Sequence, residues 1–279
     1  MLGVRRIVSV DIKFYQEAFF PFDKPIPYEL SCGTTLNIKP VTLQDSILFV
    51  TSYNILNIDK NSAPDPEVIS MSYLKFLAKR VLPFDELAKQ KLVNICILCL
   101  GFSIPYVILD DNDRPLLCNI DKEGQNILFT VTQKEFDDIK KIILYQNILN
   151  FDDSYINPEL KERMDEMDEL RMKNFEVPSL ERRIAIITSH CGISKTEQCE
   201  MTFRSHSLLF EEVSNEVEYM CTKPVAVSNG KSDLVQWIFK KKKDKFSDYI
   251  TSVEDYNKSM GGDGSVKAIH LNSENSNSQ

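Results

Sequence analysis

Apolar positions along the chain change their spacing several times, and each change marks an element. Residues 7–20 (IVSVDIKFYQEAFF) alternate in part and are rich in β-branched and aromatic side chains, which predicts a strand. Pro21, Pro25 and Pro27 follow and predict an extended connection poor in hydrogen bonds. Gly33 is a turn signal, and residues 34–39 (TTLNIK) alternate again with Leu36 and Ile38 on one face. Thr42 with Asp45 resembles a helix start, and Leu43, Ile47, Leu48, Val50 and Ile55 predict a helix over about 43–56.

A loop rich in Asn, Ser, Asp and Pro covers 57–66. Val68, Met71, Leu74, Leu77 and Val81 repeat at helical spacing over 67–82, and Pro83 stops the run. Residues 84–100 predict another helix, ending at Gly101 as a left-handed cap. PYVILD, the turn residues DNDRP and then PLLCNI predict a hairpin over 105–120, with a third strand at 125–131. Thr132 caps a helix carrying Phe136, Ile139, Ile142, Ile143 and Tyr145.

The pattern shifts after 150. Residues 151–176 are heavily charged, with Pro158 suited to a first helical turn, and predict a solvated connecting helix. Leu180, Ile184 and Ile187 predict a helix ended by Gly192. Ser194-x-x-Glu197 is a capping box, and Thr202 opens a helix carrying Phe203, Leu208, Leu209 and Val213. From Gly261 the chain is small and polar, the composition of a mobile tail. The fold class expected is α+β: a mixed α/β part over 1–150, the connector 151–176, a helical part over 177–260 and a flexible tail over 261–279.

Composition changes this picture little. The 279 residues carry 33 basic and 41 acidic side chains, a net charge of −8, which disfavours an extended phosphate-binding surface. Seven cysteines, an odd number at irregular spacing, argue against a secreted disulfide framework. MLGVRRIVSVDIKFYQ lacks a long apolar run after its arginines, so no signal peptide is expected. The most apolar stretch, 92–108, is interrupted by Asn94, Gly101, Ser103 and Pro105, so no membrane span is expected either. A reducing cytoplasm with free thiols is the expected setting.

Candidate chemistry is thin. Cys96 and Cys99 sit late in an apolar helix with no second pair, which predicts two buried thiols rather than a metal or redox site. Ser189, His190 and Cys191 are adjacent on a helix, and adjacent helical residues do not face one another. His206 is expected on the surface of the next helix. Asp110, Asp111 and Asp113 lack the rest of a calcium loop and read as a hairpin turn. Gly261-Gly262-Asp263-Gly264 lacks the Lys-Ser/Thr ending of a phosphate loop. Lys240, Lys241, Lys242 and Lys243, with Trp237 before them, are the one basic run interleaved with aromatics. Together with the Gly192 turn, which can be read as a helix-turn-helix, that run supports an alternative reading as a nucleic-acid-binding regulator. The following helix carries one Arg and then two Glu, which weakens it.

The order in the second half is a charged helix, then PSLERRIAIITSHCGISKTEQCEMTFRSHSLLFEEV, then SDLVQWIFKKKKDKF. This is similar to tail assembly chaperones and related tail or baseplate proteins of tailed bacteriophages, over about residues 135–250. LSCGTTLNIKPVTLQDSILFVTSYNILNIDKN, about residues 30–60, resembles baseplate-hub assembly proteins of T4-like phages. The resemblance implies a non-enzymatic phage protein without cofactor, metal or catalytic residues. It would act in tail or baseplate assembly by binding structural proteins, in the host cytoplasm or as part of the virion. Neither nucleic acid nor membrane is expected as a partner. Phe203, Leu209, Phe210 and Trp237, with the Lys240–Lys243 run, are the expected partner-binding residues, because buried aromatics contribute most to interfaces.

Overall fold

The computed structural model describes residues 10–60, 65–154, 157–173, 176–230 and 238. Residues 7–9 of the first expected strand lie outside them, and the rest of that stretch is helical. Asp11 accepts a hydrogen bond from the Phe14 N–H (3.1 Å) and caps helix α1 (Ile12–Ala18). Ile12, Tyr15 and Phe19 then fall at helical spacing and pack on the core, with Tyr15 only 2% exposed. A capped helix that buries these rings wins over the partial alternation.

Of the proline connection, Pro21 sits in a 3-10 turn over Phe20–Phe22 and Pro27 in a strand. β1 (Ile26–Glu29) pairs antiparallel with β2 (Thr35–Ile38), Ile26 opposite Ile38 and Tyr28 opposite Leu36. The Leu30 N–H donates to the Thr34 carbonyl (2.9 Å). Alternation from that bonded pair puts Pro25 and Pro27 at positions whose N–H would point away from β2, so the ladder loses nothing to them.

Helix α2 (Ser46–Ser52) continues as a 3-10 turn to Leu56, but starts three residues later than the apolar pattern predicts. The backbone of residues 42–44 is used elsewhere, as described below. The run over 67–82 breaks into α3 (Pro66–Ser70), α4 (Tyr73–Phe76) and a π-helical turn over Leu77–Val81. Ser72 caps α4 through the Lys75 N–H. Helix α5 (Glu86–Ile95) is capped by Asp85 and ends in a π turn at Gly101, whose φ of +67° is the expected left-handed cap.

Three strands follow: β3 (Ile104–Leu109), β4 (Pro115–Ile120) and β5 (Ile127–Val131), antiparallel in that order. Asp110 closes the first turn by accepting from the Asn112 and Arg114 N–H groups, as a hairpin role requires. Thr132 caps α6 (Gln133–Asn147), and its N–H donates to the Glu135 carboxylate (2.7 Å) in a full capping box. Phe136, Ile139, Ile142 and Ile143 of α6 join Ile26, Ile38, Phe49, Leu74 and Ile95 in the core.

Helices α7 (Pro158–Met172), α8 (Leu180–Cys191), α9 (Lys195–Glu200) and α10 (Phe203–Ser228) complete the described chain. Gly192, at φ +72°, ends α8, and Ser194 with Glu197 forms the expected capping box of α9. The class is α+β, with strands among the helices of the first part and helices alone in the second. The described residues of 1–155 and 178–224 group into one compact unit, and those of 156–177 and 225–279 into another. Within the first unit, residues 41–44 share backbone hydrogen bonds with Cys199, Met201 and Phe203. The tail from Gly261 lies outside the described residues. Among the described residues no helix is long and apolar enough to cross a membrane.

Candidate interaction surface

The sequence Met201-Thr202-Phe203 attaches the helical layer. The Phe203 N–H donates to the Val41 carbonyl (2.8 Å), the Leu43 N–H to the Met201 carbonyl (2.8 Å), and Thr42 bridges Thr202. Thr202 caps α10 by accepting from the Ser205 N–H (3.1 Å) and donates its own proton to Asp23 (2.7 Å), which also accepts from the Ser205 hydroxyl (2.8 Å). On the other side of this strand-like segment, the Val41 N–H donates to the buried amide oxygen of Asn147 (2.7 Å). Arg204 donates to the Tyr145 and Ile148 carbonyls (3.2 Å each) and lies over the Phe20 ring.

The helical layer has a polar centre. Gln198, fully buried, donates through its amide nitrogen to the Ile184 and Ile193 carbonyls and the Thr188 hydroxyl. Its amide oxygen faces Nε2 of His206 at 3.2 Å, so Nε2 must carry the proton. His206 is 1% exposed, which corrects the surface position expected for it. The helical register turns it inward, two turns before Val213, which is also buried. Burial, reinforced by the positive charge of Arg183, holds its pKa below the ordinary imidazole value.

Between α2 and the α8–α9 pair runs an open groove of about 790 Å³. Leu43 and Ile47 form one wall, Leu180 and Ile184 the other, with Cys199 beside them and Glu181 and Lys195 at the rim. Ile47 is 66% exposed, and Leu48 and Val50 on the same helix are exposed too. Water against these side chains is displaced favourably by an apolar surface, at about 25 cal/mol per Å² covered. The groove can therefore take the aliphatic side chains of another chain, with Glu181 and Lys195 offering one charge of each sign.

The expected site residues do not come together there. Phe203 packs against the core with its ring 6.4 Å from Phe49, so it anchors the chain to itself. Leu209 and Phe210 are half-buried, and the Phe210 ring sits under the Arg183 guanidinium. Trp237, Lys240, Lys241, Lys242 and Lys243 lie outside the described residues. The helix that would enter a DNA groove in the helix-turn-helix reading has its first turn held against residues 23, 145 and 148, with Arg204 turned inward.

The remaining candidates take structural places. Cys96 and Cys99 are buried thiols, and burial pushes Cys96 up to about 12. The Ser189 hydroxyl donates to the Ile186 carbonyl (2.9 Å) while His190 pairs with Glu216 (3.2 Å), so the two neighbours turn to different partners. Among the described residues no group of three His, Cys, Asp or Glu side chains is placed to hold a metal ion.

The groove residues had a signal in the sequence. Ile47, Leu48, Phe49 and Val50 are consecutive, so α2 is apolar all round, yet a helix on a surface buries only one stripe. Phe49 takes the core side and leaves the rest outside. Leu180 and Ile184 were visible as a helical stripe, but nothing local tells that α2 stops short of covering them. No protein-family model, curated protein or solved structure matches the chain.

Proposed function

We propose that the chain acts by binding another protein during the assembly of a phage tail or baseplate, as a non-enzymatic assembly chaperone or baseplate component. The observation that carries the binding role is the groove between α2 and α8, where Ile47 is exposed and Leu180 and Ile184 are half-buried in the facing wall, beside a core that is already filled. The phage setting rests on the resemblance of residues 135–250 and 30–60 alone. The partner's contact is an apolar stripe, the counterpart of the groove's aliphatic walls.

Co-expression with the tail-tube and tape-measure proteins of the same genome tests this reading. A complex should form with one of them. Ile47→Asp and Ile184→Asp should each weaken it at least tenfold while the melting temperature stays close to that of the parent chain. A chain that forms no complex with any neighbouring structural gene product defeats the proposal. Mass spectrometry of purified virions separates the two variants: a baseplate component is present at fixed stoichiometry, and a chaperone is scarce.

A further inference from the structure

The three-stranded sheet has two apolar faces, and the chain's own core covers one of them. Partners across an antiparallel ladder share a face, and neighbours along a strand alternate between faces. Val107, Leu117 and Val131 are in register and face inward, Leu117 and Val131 as core residues and Val107 packed against them. The same register gathers Ile104, Tyr106, Ile108, Leu116 and Ile120 on the opposite face, and a bulge at Asn119/Ile120 brings Ile127 opposite Ile120. None of these six belongs to the core or packs against it. Tyr106 is 59% exposed and Ile127 52%, high values for large apolar side chains on a sheet. Cys118, in the middle of this face, is buried but is likewise absent from the core cluster.

Size and charge say what fits. Strands of six residues at about 3.3 Å per residue make a face about 20 Å long, and three strands about 4.8 Å apart make it about 10 Å wide. That is far below the roughly 800 Å² per partner of a stable dimer, which disfavours a second copy. It matches one α-helix, about 10 Å across and 20 Å long over about 13 residues. Each end of the face is a turn with an excess of acid. Asp110, Asp111 and Asp113 at one end are met by Arg114 and Lys79; Asp121 and Glu123 at the other flank Lys122. Asp110 and Asp121 accept backbone N–H bonds that keep them ionised.

We propose that this face receives one amphipathic helix of a partner protein, its apolar stripe lying over Ile104, Tyr106 and Leu116 and a Lys or Arg at each end meeting the acidic turns. This surface shares no residue with the α2–α8 groove, so it stands whether or not that groove binds a tail protein.

The test uses the full chain and a fluorescent fourteen-residue helical peptide with a leucine stripe and lysines at both ends. Its control replaces the end lysines with glutamates. Binding is read by anisotropy at low and moderate salt. The lysine-ended peptide should bind at least tenfold tighter than the control, and the gap should narrow as salt rises. Tyr106→Glu should weaken binding at least tenfold without moving the melting temperature, because Tyr106 is exposed. Glu123→Lys should remove part of the preference for lysine ends, and Ile47→Asp should leave binding unchanged. Equal binding of the two peptides, or full binding by the Tyr106→Glu chain, overturns the proposal. So does a dimer that Tyr106→Glu dissolves, which would make a second copy the occupant. Binding that appears only after residues 231–279 are removed also overturns it, since the chain would then cover its own face.

Discussion

His206 carries the sharpest consequence of a single side chain. It is neutral, protonated on Nε2 and bonded to a glutamine that is itself fully used by three acceptors. Burial first, and then the Arg183 charge, lowers its folded pKa. The unfolded chain, with an ordinary histidine near ~6.5, therefore binds the proton more readily than the folded one. The stability due to neutral His206 is complete above that pH and is lost as the pH falls below it toward the depressed folded value. Urea unfolding at pH 7.5 and 5.5 should show a larger loss in the parent chain than in His206→Gln. Equal losses would show that the imidazole is not the group that titrates. At pH 7.5, His206→Ala leaves the Gln198 oxygen without its donor and should cost about 1–3 kcal/mol. Thr202 is the second such residue, with a cap and an Asp23 bond from one hydroxyl. Thr202→Val keeps the shape and should cost about 1–2 kcal/mol, whereas Thr202→Ser should stay near the parent. A Val variant as stable as the Ser variant would deny the hydroxyl that role.

Elements in this chain divide by whether their cause is local. Gly101 ends the α5 run at φ +67°, and a Cβ there would meet only the Lys39 amine at 3.9 Å. Gly101→Ala should therefore lose about 1 kcal/mol through backbone strain, with no clash to repair. A melt unchanged by this substitution would mean that the cap is not under conformational constraint. Local causes of this kind were legible: the caps at Thr132 and Ser194, the Gly101 and Gly192 stops and the Asp110 hairpin all stand where the sequence puts them. Where an element depends on a distant segment, the local pattern misleads. Residues 42–44 look like a first helical turn, but they bond to 199–202, more than 150 positions away. The proline segment looks unpaired until Thr35–Ile38 is laid beside it. The candidate surface residues follow the same rule. Phe203 looked like a partner anchor and is part of the internal joint, while Ile47 looked like core and is the most exposed wall of the groove.

At the scale of the whole molecule, the attachment through Met201–Phe203 decides what can exist alone. The first 155 residues hold most of the core, yet their edge at Val41–Gln44 is completed by residues 199–203, and Asp23 takes hydroxyl bonds from Thr202 and Ser205. A chain ending at residue 155 leaves the Leu43 N–H and the Val41 carbonyl without their partners and uncovers the side of Phe49 that Phe203 covers. Lost hydrogen bonds of about 1 kcal/mol each, together with an exposed aromatic edge, amount to several kcal/mol against a total of about 5–15 for a domain. The 1–155 chain should therefore melt at least about 5 °C below the full chain or bind a hydrophobic dye. A chain ending at residue 230 retains every hydrogen bond of the joint. If instead the 1–155 chain unfolds cooperatively at the parent temperature without dye binding, the helical layer is an attachment and not part of the fold. The groove that borders it would then be a seam free to open, and the Ile47 and Ile184 substitutions would no longer report on a preformed surface.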